Sequence, residues 1–136
     1  MAVYSIITQR VDSSNVSVPR WHLDYPSNEK SVDNAELSRD GLLFQGWVLN
    51  EESSSASLVI LNGNEVLQIP ISRSRPDVVK RVLKEEPENH TLLHCGFSKR
   101  VKLTHSTFTL GLVQDGKFTE LMNGNVEGKF QILEGK

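Results

Sequence analysis

The residues able to do chemistry in this 136-residue chain are four histidines, one cysteine and seventeen carboxylates. His90, His94 and Cys95 lie close together, with His105 further on. Zinc requires three or four converging ligands. His90 and His94 share a face only on a helix, and this segment follows Pro87 and leads into a strand. Cys95, next to His94, then points to the opposite face. The spacing reads as two loop histidines and a buried thiol, with no metal site and no cofactor.

Nucleophilic catalysis needs an activated serine or cysteine. No Gly-x-Ser-x-Gly elbow occurs, and Ser53, Ser54 and Ser55 read as a polar loop. Cys95 has no base at a defined spacing. Glu85, Glu86 and Glu88 gather near Pro87, where they read as solvated charge. Both glycine-rich phosphate loops are missing from the sequence. The chain therefore reads as noncatalytic.

Sugar binding uses an aromatic face flanked by planar polar groups. Trp21, Leu23 and Tyr25 alternate with His22 and Asp24. Trp21 and Tyr25 thus share one strand face, which is either a stacking platform or the core side of the strand. Arg75 and Asp77 flank Pro76. They either contact a ligand or pair with each other and pin a helix to a sheet. The candidate ligand-binding residues are Trp21, Tyr25, Arg75 and Asp77, and there is no candidate catalytic residue.

Composition limits the function classes. Hydrophobic residues make up 38% and charged residues 24%, with a net charge of −2. That excludes a generally basic nucleic-acid coat, and no nucleic-acid partner is expected. The charge is uneven, at −5 over residues 1–68 and +3 over residues 69–136, and Arg73, Arg75, Lys80, Arg81 and Lys84 lie close together. Such a patch is either a solvated helix face or a seat for one anionic group. No apolar run approaches the ~20 residues that cross a bilayer, so no direct membrane insertion is expected. The first residues lack a basic n-region and a long apolar core, and a single cysteine favours a reducing compartment. The expected location is cytoplasmic.

The elements that must position these residues are strands. Leu42–Leu49, Leu58–Leu61, Val66–Ile71, Gly96–Leu103, Thr107–Val113 and Phe118–Met122 read as strands, and Phe130–Leu133 as a closing one. Gly46 marks a bulge or a close backbone approach. Asn62-Gly63, Asp115-Gly116 and Asn123-Gly124 read as turns. Pro76 opens one helix whose apolar face is Val78, Val79, Val82 and Leu83. Three valines make it a poor helix alone, so packing on a sheet must hold it. Seven to nine strands at this spacing predict a mainly β protein, an immunoglobulin-like antiparallel β-sandwich with one short helix. It forms a single domain over 1–136, with 1–40 the least regular part.

Gly46-Trp47-Val48 on a strand, Arg75-Pro76-Asp77-Val78 opening a helix and Gly96-Phe97 opening a strand occur in that order. This pattern, over about residues 40–115, resembles the β-sandwich accessory modules attached to bacterial glycosyltransferases. The resemblance implies a noncatalytic carbohydrate-associated binding module whose partner is a glycan or a glycosyltransferase-type protein. The alternative is a protein-interaction or scaffold module that docks a partner enzyme by a sheet face or edge.

Overall fold

Alternating apolar and polar residues become nine strands in the computed structural model, which describes residues 3–11, 20–33, 35–49 and 56–128. These are β1 (Val3–Arg10), β2 (Arg20–Tyr25), β3 (Lys30–Asp33), β4 (Leu42–Leu49), β5 (Ala56–Asn62), β6 (Glu65–Pro70), β7 (Gly96–Val101), β8 (Thr107–Gln114) and β9 (Lys117–Glu127). A six-stranded antiparallel sheet runs in the order β3-β1-β9-β8-β5-β6, and a three-stranded one in the order β2-β4-β7. The two form a sandwich with one short helix, as the strand spacing predicts.

The main core lies between the sheets. Period-two alternation sends Leu42, Phe44 and Val48 of β4 inward to meet Leu58 and Ile60 of β5 and Leu110 and Leu112 of β8. The Phe44 and Phe108 rings meet edge-on, with centroids 5.4 Å apart. Phe97, Val101 and Leu103 all join this core.

The helix packs outside the sandwich. Pro76–Val78 form one α-helical turn that continues as a wider π-helical turn, Val79–Leu83, and ends at Lys84 in the left-handed region. Val78 packs with Leu49 and Cys95, all nearly fully buried, and Trp47, Val82, Leu83 and Leu92 surround them. This satellite core covers the outer face of the three-stranded sheet. Packing on a sheet does hold the valine-rich helix, which forms a third layer outside the sandwich.

Several local expectations are corrected. Phe97 packs on the side of the sheet away from the helix. Its neighbour Gly96 faces the helix, so alternation sends Phe97 through the sheet into the main core. Asn123-Gly124 is not a turn, because β9 runs straight through both residues, and Gly124 faces the Phe108 ring. The β5–β6 turn centres on Gly63-Asn64, one residue later than expected. Asn62 is instead fully buried. Its Nδ2 donates to the carbonyls of His105 and Thr107, and its Oδ1 accepts from Thr104 N (2.8 Å), so it holds the turn into β8. Among the described residues of 1–40 there are three strands and a π-helical turn, Ala35–Arg39. The serine loop at 53–55 and the expected strand Phe130–Leu133 lie outside the described residues.

Candidate functional site

The outward surfaces of the two sheets contain the two groups of residues relevant to binding. On the three-stranded sheet, β2 bulges between Leu23 and Tyr25, so Asp24 is an extra residue opposite β4. A bulge re-aims a side chain, and Asp24 Oδ2 accepts from Arg75 Nη1 at 2.8 Å. Arg75 also donates Nε to Asp77 Oδ1 (3.0 Å) and Nη2 to Asp77 Oδ2 (2.9 Å), a bidentate pair. Arg81, one helical turn on, donates to Asp77 Oδ2 at 3.0 Å. Gly96 makes room for this network. A Cβ there would lie 2.5 Å from Arg75 Cγ and 3.0 Å from the backbone oxygen of Arg73.

The electrostatics follow from these bonds. The hydrogen bonds from Arg75 hold the Asp77 carboxyl well below the usual carboxylate range. The same bonds hold Arg75 still more firmly protonated than usual. Of the two readings of Arg75 and Asp77, the geometry is that of the pin: the helix start is tied to β2 through two carboxylates.

Trp21 and Tyr25 face the other way. Trp21 is 9% exposed and belongs to the main core, with the Arg10 guanidinium 3.8 Å from its ring centroid. Tyr25 is partly buried and donates its hydroxyl to Glu36 Oε2 at 2.5 Å. Burial, reinforced by that bond, pushes the phenol up to about 12. The four residues named from the sequence therefore form no common site. Alternation and the bulge put Trp21 on the inner side of the sheet and Arg75 and Asp77 on the outer side. Trp21 offers no open platform, because its ring is enclosed.

The histidines do not converge either. His90 Nδ1 accepts from Leu92 N (3.0 Å) and its Nε2 faces Glu85, so both ring nitrogens are engaged. His94 and His105 are exposed. Cys95 is buried, which pushes its thiol up, away from the reactive thiolate. Among the described residues, no group of three or more His, Cys, Asp or Glu is placed to hold a metal ion.

The outward face of the six-stranded sheet is different, and the sequence reading passed over it. The register aligns Gln9, Asn123, Thr109, Leu61 and Val66 in one row across five strands, and Ile7, Asn125 and Thr107 in the next. These residues alternate with the inward set of the core, so they face away from the sandwich. A shallow depression of about 460 Å³ lies here, lined among others by Gln9, Thr107, Thr109, Asn123 and Asn125. Thr109 donates its hydroxyl to Asn123 Oδ1 at 3.0 Å, which leaves the amide NH2 as a donor.

One aromatic ring is exposed on this face. Phe118 is opposite Val113 and reaches diagonally over Gly111, where a Cβ would lie 2.2 Å from the ring. It is 45% exposed, the only exposed aromatic among the described residues' large hydrophobics. Beyond it, Gln68 donates to Ser57 Oγ at 3.2 Å. The ring thus lies between two amide–hydroxyl pairs. The signal that could have found it was Gly111 in a strand opposite an aromatic hairpin partner. No helix is long and apolar enough to cross a membrane among the described residues. No family model matches this chain, and neither a curated protein nor a solved structure does so significantly.

Proposed function

We propose that this chain is a noncatalytic carbohydrate-associated binding module that receives glycan on the outward face of its six-stranded sheet. One observation carries the reading: Phe118, exposed and braced over Gly111, lies between Thr109–Asn123 and Ser57–Gln68. A pyranose presents an apolar face to such a ring and hydroxyls to the amides and hydroxyls around it. The neighbouring depression, lined by Gln9, Thr107, Asn123 and Asn125, extends the polar row for a chain of more than one sugar. Arg75 and Asp77 act as the fastening that holds the helix layer on the opposite side. The reading is consistent with the glycosyltransferase-associated pattern, in which such a module would hold glycan for a catalytic partner.

The test is an NMR titration of the whole chain with neutral oligosaccharides at millimolar concentration, repeated on Phe118→Ala. Saturable shifts at Thr109, Phe118 and Asn123 that vanish in the variant support the reading. Unchanged spectra would refute it.

The second reading is docking of a protein partner. Val66 favours it, being 67% exposed on β6, the edge strand of the same sheet. Replacing Val66 with Lys would abolish partner capture under that reading and leave sugar-induced shifts at Phe118 intact under the first.

A further inference from the structure

The charge pattern of this face goes beyond the presence of a sugar platform and bears on which sugars it admits. No ionisable side chain lines the depression, whose polar groups are those of Thr8, Gln9, Thr107, Thr109, Asn123 and Asn125. The same register places Glu120 opposite Gly111, beside the Phe118 ring, and Glu127 opposite Ser5, at the far end of β9. Both glutamates are exposed and project on the outward side. On the described outward positions of β1, β5, β6, β8 and β9 there is no lysine or arginine. The basic residues of the helix segment, Arg73, Lys80, Arg81 and Lys84, lie with the third layer on the other sheet.

From this we infer that the site selects neutral glycans and rejects those bearing carboxylate, sulfate or phosphate groups. The inference rests on the glycan-binding reading of the same face. Its physical basis is repulsion between like charges. An acidic sugar stacked on Phe118 would lie beside Glu120, and a chain laid along β9 toward Asn125 would approach Glu127, with no lysine or arginine at the described outward positions to offset either; the Lys99 ammonium, from β7, meets this sheet at its β6 edge, on the Gln68 carbonyl. A neutral sugar meets only amides, hydroxyls and an apolar ring. Charge repulsion between exposed groups is screened by salt, so the discrimination must weaken as ionic strength rises.

The experiment compares cellohexaose and maltohexaose with hexagalacturonate by NMR titration of the whole chain, at low salt and at 0.5 M sodium chloride. The expected result is saturable binding of a neutral hexasaccharide and severalfold weaker binding of hexagalacturonate at low salt. The gap should narrow in high salt and in the Glu120→Gln/Glu127→Gln variant, whose substitutions are exposed and isosteric. Equal or tighter binding of hexagalacturonate would overturn the inference while leaving the glycan reading standing. A gap that neither salt nor the double variant narrows would also overturn it, since shape rather than charge would then discriminate. Failure of all three oligosaccharides to bind would overturn both.

Discussion

The two outward sheet faces are built from the same alternating strands and finished in opposite ways. Over the three-stranded sheet, an arginine, two aspartates, a bulge and a glycine close contacts inward, and a helix covers Leu49 and Cys95. Over the six-stranded sheet no helix lies among the described residues, and its polar groups are amides and hydroxyls around an exposed ring, flanked by the exposed glutamates Glu120 and Glu127. Charged side chains in close pairs act as fasteners here, because each one's hydrogen-bonding capacity is spent on the others. Neutral polar groups on a bare sheet keep donors and acceptors for something else. Conspicuous residues such as Trp21 and Arg75 are committed to the core and to the fastening, and the less conspicuous face is the one we propose for binding.

The largest expected effect comes from removing the cover of the first face. Leu49→Ala deletes a side chain that is 1% exposed in the satellite core, and should cost about 3 kcal/mol in urea unfolding. Hydrogen exchange should show residues 75–95 losing protection more than β5 or β8. Uniform loss across both sheets would mean that the helix layer is not a separable unit.

Next comes the fastening. Arg75→Ala takes the bridging guanidinium from between Asp24 and Asp77, leaves Asp77 with Arg81 alone, and should cost about 2 kcal/mol. Arg75→Lys should not restore the loss, because an ammonium cannot make the bidentate contact with Asp77. Full rescue by lysine would show that charge alone, not the fork geometry, holds the helix.

The same pair sets an acid sensitivity. The Asp77 carboxyl titrates lower in the folded protein than in the unfolded chain. Its contribution is fully present above the ordinary carboxylate pKa, near 4, and is lost as pH falls below that value toward the folded one. Stability measured between about pH 5 and pH 2 should fall less steeply in Arg75→Ala than in the parent. Parallel slopes would remove Asp77 from the account.

Much of this architecture was legible in the chain. β4, β5, β7 and β8 were legible from their apolar runs and alternation, and Asp115-Gly116 from its turn chemistry, with both residues at positive φ. Arg75 with Asp77 was read as a possible pin from their spacing around a helix-opening proline. What escaped was whatever depends on pairing with distant segments. Asn123-Gly124 has the composition of a turn, but β8 and β1 on either side keep it extended. Asn62 looked like a turn residue and is instead a buried clamp on a loop more than forty residues away in sequence. The bulge at Asp24 leaves no local mark, because it is a mismatch between β2 and β4. The Phe118 platform exists only because the hairpin register brings that ring over Gly111.

The smallest expected effect on stability is on the second face. Phe118→Ala should cost about 1 kcal/mol or less, since the ring is half exposed and its cross-strand contact is worth no more than that. It should nevertheless remove glycan binding, whereas Arg75→Ala should leave binding unchanged. A variant pair with the reverse pattern would exchange the roles assigned to the two faces.

The most direct measurement is a map of amide shifts across the whole chain as a neutral hexasaccharide is added. The account predicts a contiguous set of perturbed residues at Gln9, Thr109, Gly111, Phe118 and Asn123, and quiet signals at His22, Trp47 and Arg75. Perturbations centred on the helix and β2, or none anywhere, would contradict it.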